Sequence, residues 1–370
     1  MRYPSVVFGT LVTPLIAVVA TALARRRLAG ILAALFAACH PLLIYYSQEA
    51  RMYAMLIALG AFLGYIVVRR AWSRSPGRLS WVAYVLVATA AVYTHYFAFF
   101  LIFALAIAFL IDQALRRFRL RQPRLNGFRA GGPEIGEVEI GAANVGGTPN
   151  PGRSPLPLFL LANLLVLLLY LPWFAVLFTR LSVDTSYWQG QLKIGEALRH
   201  IAISFITGET VLESQAIQLL WPYALLTGVA LTALLLKRPT QYRTLHYAVL
   251  WLILPIIGVL LLALVVPKFN ARYAMIALPG LILAWSAGLA ALLTIKPRRS
   301  RLGVYRPNLN LSFLVAGLCT LFILIGFIIA DRNWYQDPAF TKAQWRELSE
   351  FLRAEIGERG EQEAVVLVSG

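Results

Sequence analysis

The residues best suited to chemistry sit together in one short stretch, Tyr45-Tyr46-Ser47-Gln48-Glu49-Ala50-Arg51-Met52-Tyr53, between two strongly apolar runs. It holds a carboxylate, a guanidinium and three phenols. If Gln48 opens a helix, Glu49 lies in the first turn, where the peptide dipoles favour negative charge. Glu49 and Tyr53, four residues apart, would then share a face while Arg51 points elsewhere. An ionised Glu49 can hold a divalent cation or orient an acceptor hydroxyl, and the planar fork of Arg51 suits a phosphate. A Glu49–Arg51 pair that only fixes a hairpin, with the aromatics as interface anchors, fits the same residue types. Two other turns carry fewer groups. Tyr93-Thr94-His95-Tyr96-Phe97 offers one imidazole among phenols, and such a histidine is more often structural than catalytic. Pro267-Lys268-Phe269-Asn270-Ala271-Arg272-Tyr273 offers two cations and an amide, fit for an anionic headgroup or for snorkelling anchors. No GxGxxG, P-loop, zinc spacing or nucleophile elbow occurs in a usable context.

The elements that must position these turns are membrane helices. Of 370 residues, 59% are hydrophobic and only 14% charged, where a soluble chain needs about 25% charged residues to face water. That excludes a soluble enzyme, a disordered chain and a disulfide scaffold. Cys39 and Cys319 both lie inside apolar runs and read as small buried residues. Crossing a ~30 Å hydrocarbon core takes about 20 apolar residues. Uncharged runs of that kind occupy 5–24, 28–46, 52–68, 154–179, 214–236, 244–266, 273–295 and 308–330. The run 79–111 is too long for one straight crossing and splits at the polar-aromatic Tyr93-Thr94-His95-Tyr96, giving ten crossings in an all-α bundle. His40-Pro41 marks a kink in the second.

Charge fixes the orientation. With the N-terminus outside, the inner loops 25–27, 69–78, 112–153, 237–243 and 296–307 hold 22 of the 34 Lys+Arg and four acids. The outer side holds the other 12 basic residues and 13 acids. This is the positive-inside asymmetry, so the formal net charge of +17 reports topology and not nucleic-acid binding. The basic inner loop meets anionic lipid. All three polar turns then face outward and can line one cavity. Helix interiors read as almost free of charge, the polar groups collecting at one face. Residues 1–330 form the transmembrane domain, with an inner flexible loop at 116–153 and an outer interfacial segment at 180–213. In that segment Ile194, Leu198, Ile201 and Phe205 recur at helical spacing, as in a helix lying on the membrane surface. Residues 331–370 read as the start of a small outer domain, with an amphipathic stretch Thr341 to Ile356 and a strand-like Ala364 to Val368.

The order of these motifs resembles the membrane glycosyltransferases of the GT-C fold. It is most similar to the bacterial branch near the dolichyl-phosphate-mannose–protein mannosyltransferases (glycosyltransferase family 39). Arg2-Tyr3-Pro4-Ser5 with Phe8-Gly9, Pro41 to Tyr53, Tyr93 to Tyr96, Arg272-Tyr273 with Pro279, and Trp345-Arg346 carry the likeness in order along nearly the whole chain. The resemblance implies a plasma-membrane enzyme that transfers a sugar from a polyprenyl-phosphate donor to a protein, lipid or glycan acceptor at the outer face. By position Glu49 would be the acidic residue, with or without Mg²⁺ or Mn²⁺. Arg51, Lys268 and Arg272 would bind the donor phosphate, while Gln48, Tyr53, His95, Tyr96 and Tyr273 would shape the pocket.

In that family the principal carboxylate usually follows the first helix, in an outer loop with no counterpart here. Both ends are therefore expected to continue beyond this sequence, and the chain alone is expected to turn over poorly. Two other classes compete: a lipid-linked-glycan transporter, which needs ionisable groups in mid-bilayer, and a non-catalytic subunit of envelope polysaccharide assembly. The genomic reading frame upstream of Met1 separates them. A further apolar helix followed by an outer loop bearing Asp or Glu is expected; a stop codon just upstream would favour the subunit.

Overall fold

The computed structural model describes residues 2–71, 77–121, 155–183, 192–237, 241–265, 269–293, 311–340 and 350–354. Among these, all regular structure is helical: α1 Tyr3–Ala24, α2 Arg27–Ala38, α3 Pro41–Ser47, α4 Tyr53–Ala71, α5 Arg78–Thr94 and α6 Ala98–Arg121, followed by α7 Leu156–Val183, α8 Ile194–Thr207, α9 Glu213–Leu236, α10 Tyr242–Val265, a 3-10 turn Ala271–Ala277 leading into α11 Leu278–Leu292, and α12 Leu311–Gln336. The chain is a multi-pass helical membrane bundle. Eight of the described helices are long and apolar enough to span a bilayer, and α2 with α3 passes the same test as a pair bent by 57°. The uncharged run 79–111 breaks between α5 and α6, with the apolar part of α5 shorter than the rest. Lys268, most of the inner loop, Trp345-Arg346 and Ala364 to Val368 lie outside the described residues.

The bundle is built around α11. Its span is 94% buried, against 17% for α7 and 22% for α12, which turn their leucines outward. Lipid is as apolar as leucine, so helices in a membrane gain by close packing and hydrogen bonds instead. Two glycines allow that packing. A Cβ at Gly280 would stand 2.5 Å from Leu252 N on α10, and one at Gly288 would stand 2.5 Å from the Ala230 carbonyl on α9. A tryptophan hydrogen bond ties this span to each neighbour as well. Trp285 Nε1 donates to Thr227 Oγ1 on α9 at 2.9 Å, and Trp251 Nε1 on α10 donates to the Ile276 carbonyl at 3.0 Å. α5 joins α7 through Tyr84 and Asn163 at 3.0 Å.

The inner ends are tied by buried charge. Asp112, expected in an inner loop, lies within α6 and is wholly buried. The helix continues past it to Arg121. Arg243 of α10 donates Nε to Asp112 Oδ2 at 2.8 Å and also bonds the Val68 carbonyl of α4. His246 Nε2 stands 3.5 Å from Asp112 Oδ1. Beside them Gln241 donates to the Ala24 carbonyl at the end of α1, and Thr244 donates back to Gln241 at 2.9 Å. Four helices thus meet on one polar knot, and with Asp112 inside α6 the helix interiors are less free of charge than the sequence reading has them.

Taking one partner from a buried pair leaves the other charge uncompensated, at a cost of about 3–5 kcal/mol. Asp112→Asn should therefore lower the thermal unfolding midpoint in detergent sharply, while Asp112→Leu with Arg243→Met should recover most of the loss. An unshifted midpoint for Asp112→Asn would show that the pair is not holding the inner end.

Candidate functional site

At the outer end the helices meet through rings. α2 stops at Ala38 and the chain turns at His40-Pro41 into the seven-residue α3. Proline lacks an N–H and is well placed in a first helical turn. His40 caps that turn: its Nδ1 accepts from Leu42 N at 3.2 Å, and its Nε2 donates to the Phe205 carbonyl of α8 at 3.0 Å. α3 carries Tyr45 and Tyr46 inward. From them rings follow one another without a gap. Tyr45 packs on Trp334 of α12 (4.6 Å between centroids) and on Tyr46 (5.0 Å), and Tyr46 packs on Tyr53 (5.1 Å). Tyr53 then faces His95 at 6.2 Å, and His95 faces Tyr273 at 6.3 Å. The first, second and third polar turns of the sequence do converge.

The helix assumed to open at Gln48 begins at Tyr53 instead. Gln48 caps the C-terminus of α3, and 49–52 form a bend whose Met52 carbonyl accepts from Leu56 N at 2.9 Å. Glu49 is therefore outside the α4 N-terminus and does not share a helical face with Tyr53. It pairs with Arg51 Nε at 3.2 Å and accepts from the Tyr45 hydroxyl. The pair is local, held by the bend itself. Gln48 links the bend to α12: its Nε2 donates to the Tyr335 hydroxyl at 2.5 Å, and Trp334 Nε1 donates to its Oε1 at 3.5 Å.

Arg272 occupies the centre of the arc. Asn270 starts the 3-10 turn by accepting from Arg272 N at 3.1 Å, which aims the side chain at the phenols. The guanidinium hydrogen-bonds Tyr53 and Tyr273 and lies 5.7 Å from the Tyr273 ring centroid. Its Nε is buried and meets no acceptor, and no carboxylate among the described residues pairs with it. A cation dressed by phenols in a partly dry site retains its attraction for an anion. Among the described residues no group of three or more His, Cys, Asp or Glu could hold a metal. Glu49, already committed to Arg51 and Tyr45, does not supply a cation site by itself, so no chemistry is assigned to a divalent ion.

His95 is held in the turn between α5 and α6. Phe97 N donates to its Nδ1 at 3.2 Å, and its ring stacks on Phe97 at 4.3 Å and on Tyr96 at 4.7 Å. Tyr93 points away, donating to the Leu169 carbonyl of α7 at 2.9 Å. Tyr45 and Tyr46 belong to the stretch singled out from sequence, whereas Trp334 and Tyr335, which meet that stretch here, do not. The Trp-Tyr pair at an apolar helix end, an interfacial anchor signature, was the available signal.

The surface helix expected at 180–213 is α8, but it docks on the bundle. Ile201 and Phe205 are buried, while Ile194 and Leu198 stay exposed. After it Gly208 adopts a positive φ of 68°. Glu209 follows, accepting from Ser204 Oγ at 3.1 Å. Comparison with protein-family models, with curated proteins and with solved structures finds no match.

Burial lowers the His95 pKa to about 4, below the ordinary 6.5. The folded protein then binds fewer protons than the unfolded chain between those values, so its stability falls as pH drops from about 6.5 towards 4. His95→Asn keeps an acceptor for Phe97 N without the titration. It should flatten the fall in unfolding temperature between pH 7 and pH 4.5; an equal fall in both proteins would place the titration elsewhere.

Proposed function

We propose that this chain is a GT-C-like glycosyltransferase with ten crossings, acting at the outer face of the plasma membrane. It takes a sugar from a polyprenyl-phosphate donor whose tail lies among the peripheral helices, and passes it to a hydroxyl of a protein, lipid or glycan. The observation that carries this reading is Arg272: a guanidinium with no carboxylate partner, its Nε unfilled, set among Tyr46, Tyr53, His95 and Tyr273. The leaving group of such a transfer is a lipid phosphate, which gains charge as the glycosidic bond breaks. A preorganised cation at that point favours the transition state over the bound donor. The rings stack on sugar faces and exclude water, and the phenols can donate to the phosphate or the sugar. Lys268 is assigned to the same anion by its place in the sequence, while Arg51 already pairs with Glu49.

The order of motifs along the chain and the convergence of the three turns support the reading. The dense inner knot speaks against a transport path, since it closes the bundle at that end with matched charges. One observation favours a non-catalytic subunit: Glu49 and Arg51 are spent on each other at 3.2 Å. Donor binding decides between them.

A charge-assisted contact contributes about 1.5–3 kcal/mol, or roughly 10- to 150-fold in affinity. Arg272→Gln should therefore weaken binding of a polyprenyl monophosphate by that factor, measured by titration of the full chain in lipid discs. Arg199→Gln, at the surface, should not. Equal affinity for Arg272→Gln and the unmutated chain, or no binding to either, would overturn the assignment.

A further inference from the structure

The inner ends of several helices are gathered by one short stretch at the start of α10. Gln241 Nε2 donates to the Ala24 carbonyl at 3.3 Å, and Arg243, two residues on, bonds the Val68 carbonyl. Gln241 N donates to the Lys237 carbonyl at 3.2 Å, so the end of α9 closes on the same place. The residues that follow the two bonded carbonyls are basic: Arg25-Arg26-Arg27 after Ala24, and Arg69-Arg70 after Val68. Arg25 takes a positive φ of 54°, which turns the chain sharply from α1 into α2. Arg25, Arg26, Arg27 and Arg69 are all exposed. The knot thus assembles a rim of arginines on the inner face.

Charge and shape together say what that rim receives. Among the described residues of the inner end the one carboxylate is Asp112, which is wholly buried and bonded by Arg243 at 2.8 Å. The exposed arginines therefore meet no exposed acid there, and none of the ion pairs among the described residues involves Arg26, Arg27 or Arg69. Arg69 lies over the Tyr65 ring of its own helix at 5.9 Å, a contact that leaves its charge intact. Directly below the arginines runs an apolar track. Leu28, Ile31 and Leu35 of α2 are all exposed, while Leu32, Ala33 and Phe36 pack inward. Their spacing of three and four residues puts them on one face, which leads from Arg27 into the hydrocarbon. On α9, Leu235 and Leu236 stand exposed immediately before Lys237. A free anion has a use for the arginines alone, whereas a phosphate carrying acyl chains fits both the arginines and the track.

We propose that this rim is a binding site for an anionic phospholipid of the inner leaflet. Its phosphate lies at Arg26 and Arg27, its acyl chains lie along Leu28, Ile31 and Leu35, and Arg69 adds to the positive field. The site is separate from the basic loop after α6 and does not depend on the transferase reading. A guanidinium fork matches phosphate oxygens, and basic residues at the inner surface attract anionic lipid. Orientation of the chain in the membrane needs only the charge of these loops and no apolar track at a fixed place. A lipid held here does more. The Ala24 and Val68 carbonyls immediately precede the arginines, so the lipid braces the same helix ends that Gln241 and Arg243 hold. A ligand that binds only the folded chain raises its stability.

The test titrates the full chain in detergent with phosphatidylglycerol or phosphatidylcholine, reading bound lipid by native mass spectrometry and the unfolding midpoint in parallel. Phosphatidylglycerol should bind and raise the midpoint, and phosphatidylcholine should do neither. Removing one surface arginine costs about 5-fold in such binding, so Arg26→Gln with Arg27→Gln should weaken it about 30-fold. Lysine at both positions should retain most of the affinity. Leu28→Gln keeps every inner charge and should also weaken phosphatidylglycerol binding, whereas Arg199→Gln at the outer face should leave it unchanged. Should the double variant fail to insert, Arg69→Gln and Leu28→Gln carry the test, and unchanged binding in both would overturn the site. Equal affinity for the double variant and the unmutated chain, or an equal loss in Arg199→Gln, would overturn it too. Displacement of the lipid by glycerol phosphate at matched concentration would assign the arginines to a soluble anion instead and overturn the lipid.

Discussion

A bilayer offers no water to an interrupted helix, so every break in the backbone must be satisfied from within the protein. The break at His40-Pro41 meets that demand with one side chain. Its Nδ1 accepts from Leu42 N and its Nε2 donates to Phe205 O, a division of labour available only to the neutral ring. The same imidazole packs against Phe327 of α12 at 4.7 Å. Through it the second crossing is bent by 57°, α8 is drawn onto α3, and α12 is held alongside. Had the crossing run straight, Tyr45 and Tyr46 would not be presented between α12 and α4. The aromatic arc follows from how this one interruption is capped.

The two ends of the bundle are stabilised by different physics, and the difference suits their positions. At the inner end Asp112, Arg243, Gln241 and Thr244 satisfy one another and several carbonyls, so four helices are fixed in register by directional bonds. Such a knot tolerates little movement because each lost bond leaves a buried group unpaired. At the outer end the contacts are ring on ring, with centroid separations of 4.6–6.3 Å and varied interplanar angles. Aromatic packing of this kind contributes area and modest directional energy. It lets side chains shift around a ligand without stranding a hydrogen bond. One end is thus held by directional bonds and the other by ring packing.

Much of this was legible in the sequence. The apolar runs, the split of 79–111 and the kink at His40-Pro41 follow from hydropathy, length and proline chemistry, and each corresponds to a helix end in the structure. The convergence of Tyr53, His95 and Tyr273 followed from placing three turns on one side. The start of α4 did not. Periodicity sees Gln48 to Tyr53 as helical, but the bend that lets α3 approach α12 is a tertiary demand, met by Gln48 bonding Tyr335 some 287 residues away. Asp112 was misplaced for a related reason. A carboxylate at the end of an apolar run reads as loop, and only the distant Arg243 makes its burial affordable.

The electrostatic logic of the outer face depends on what the cation is not given. A carboxylate in contact with Arg272 would satisfy it, and an incoming phosphate would have to displace that partner. Phenols bond the guanidinium while leaving its charge intact, and their burial lowers the local dielectric so that the remaining field reaches further.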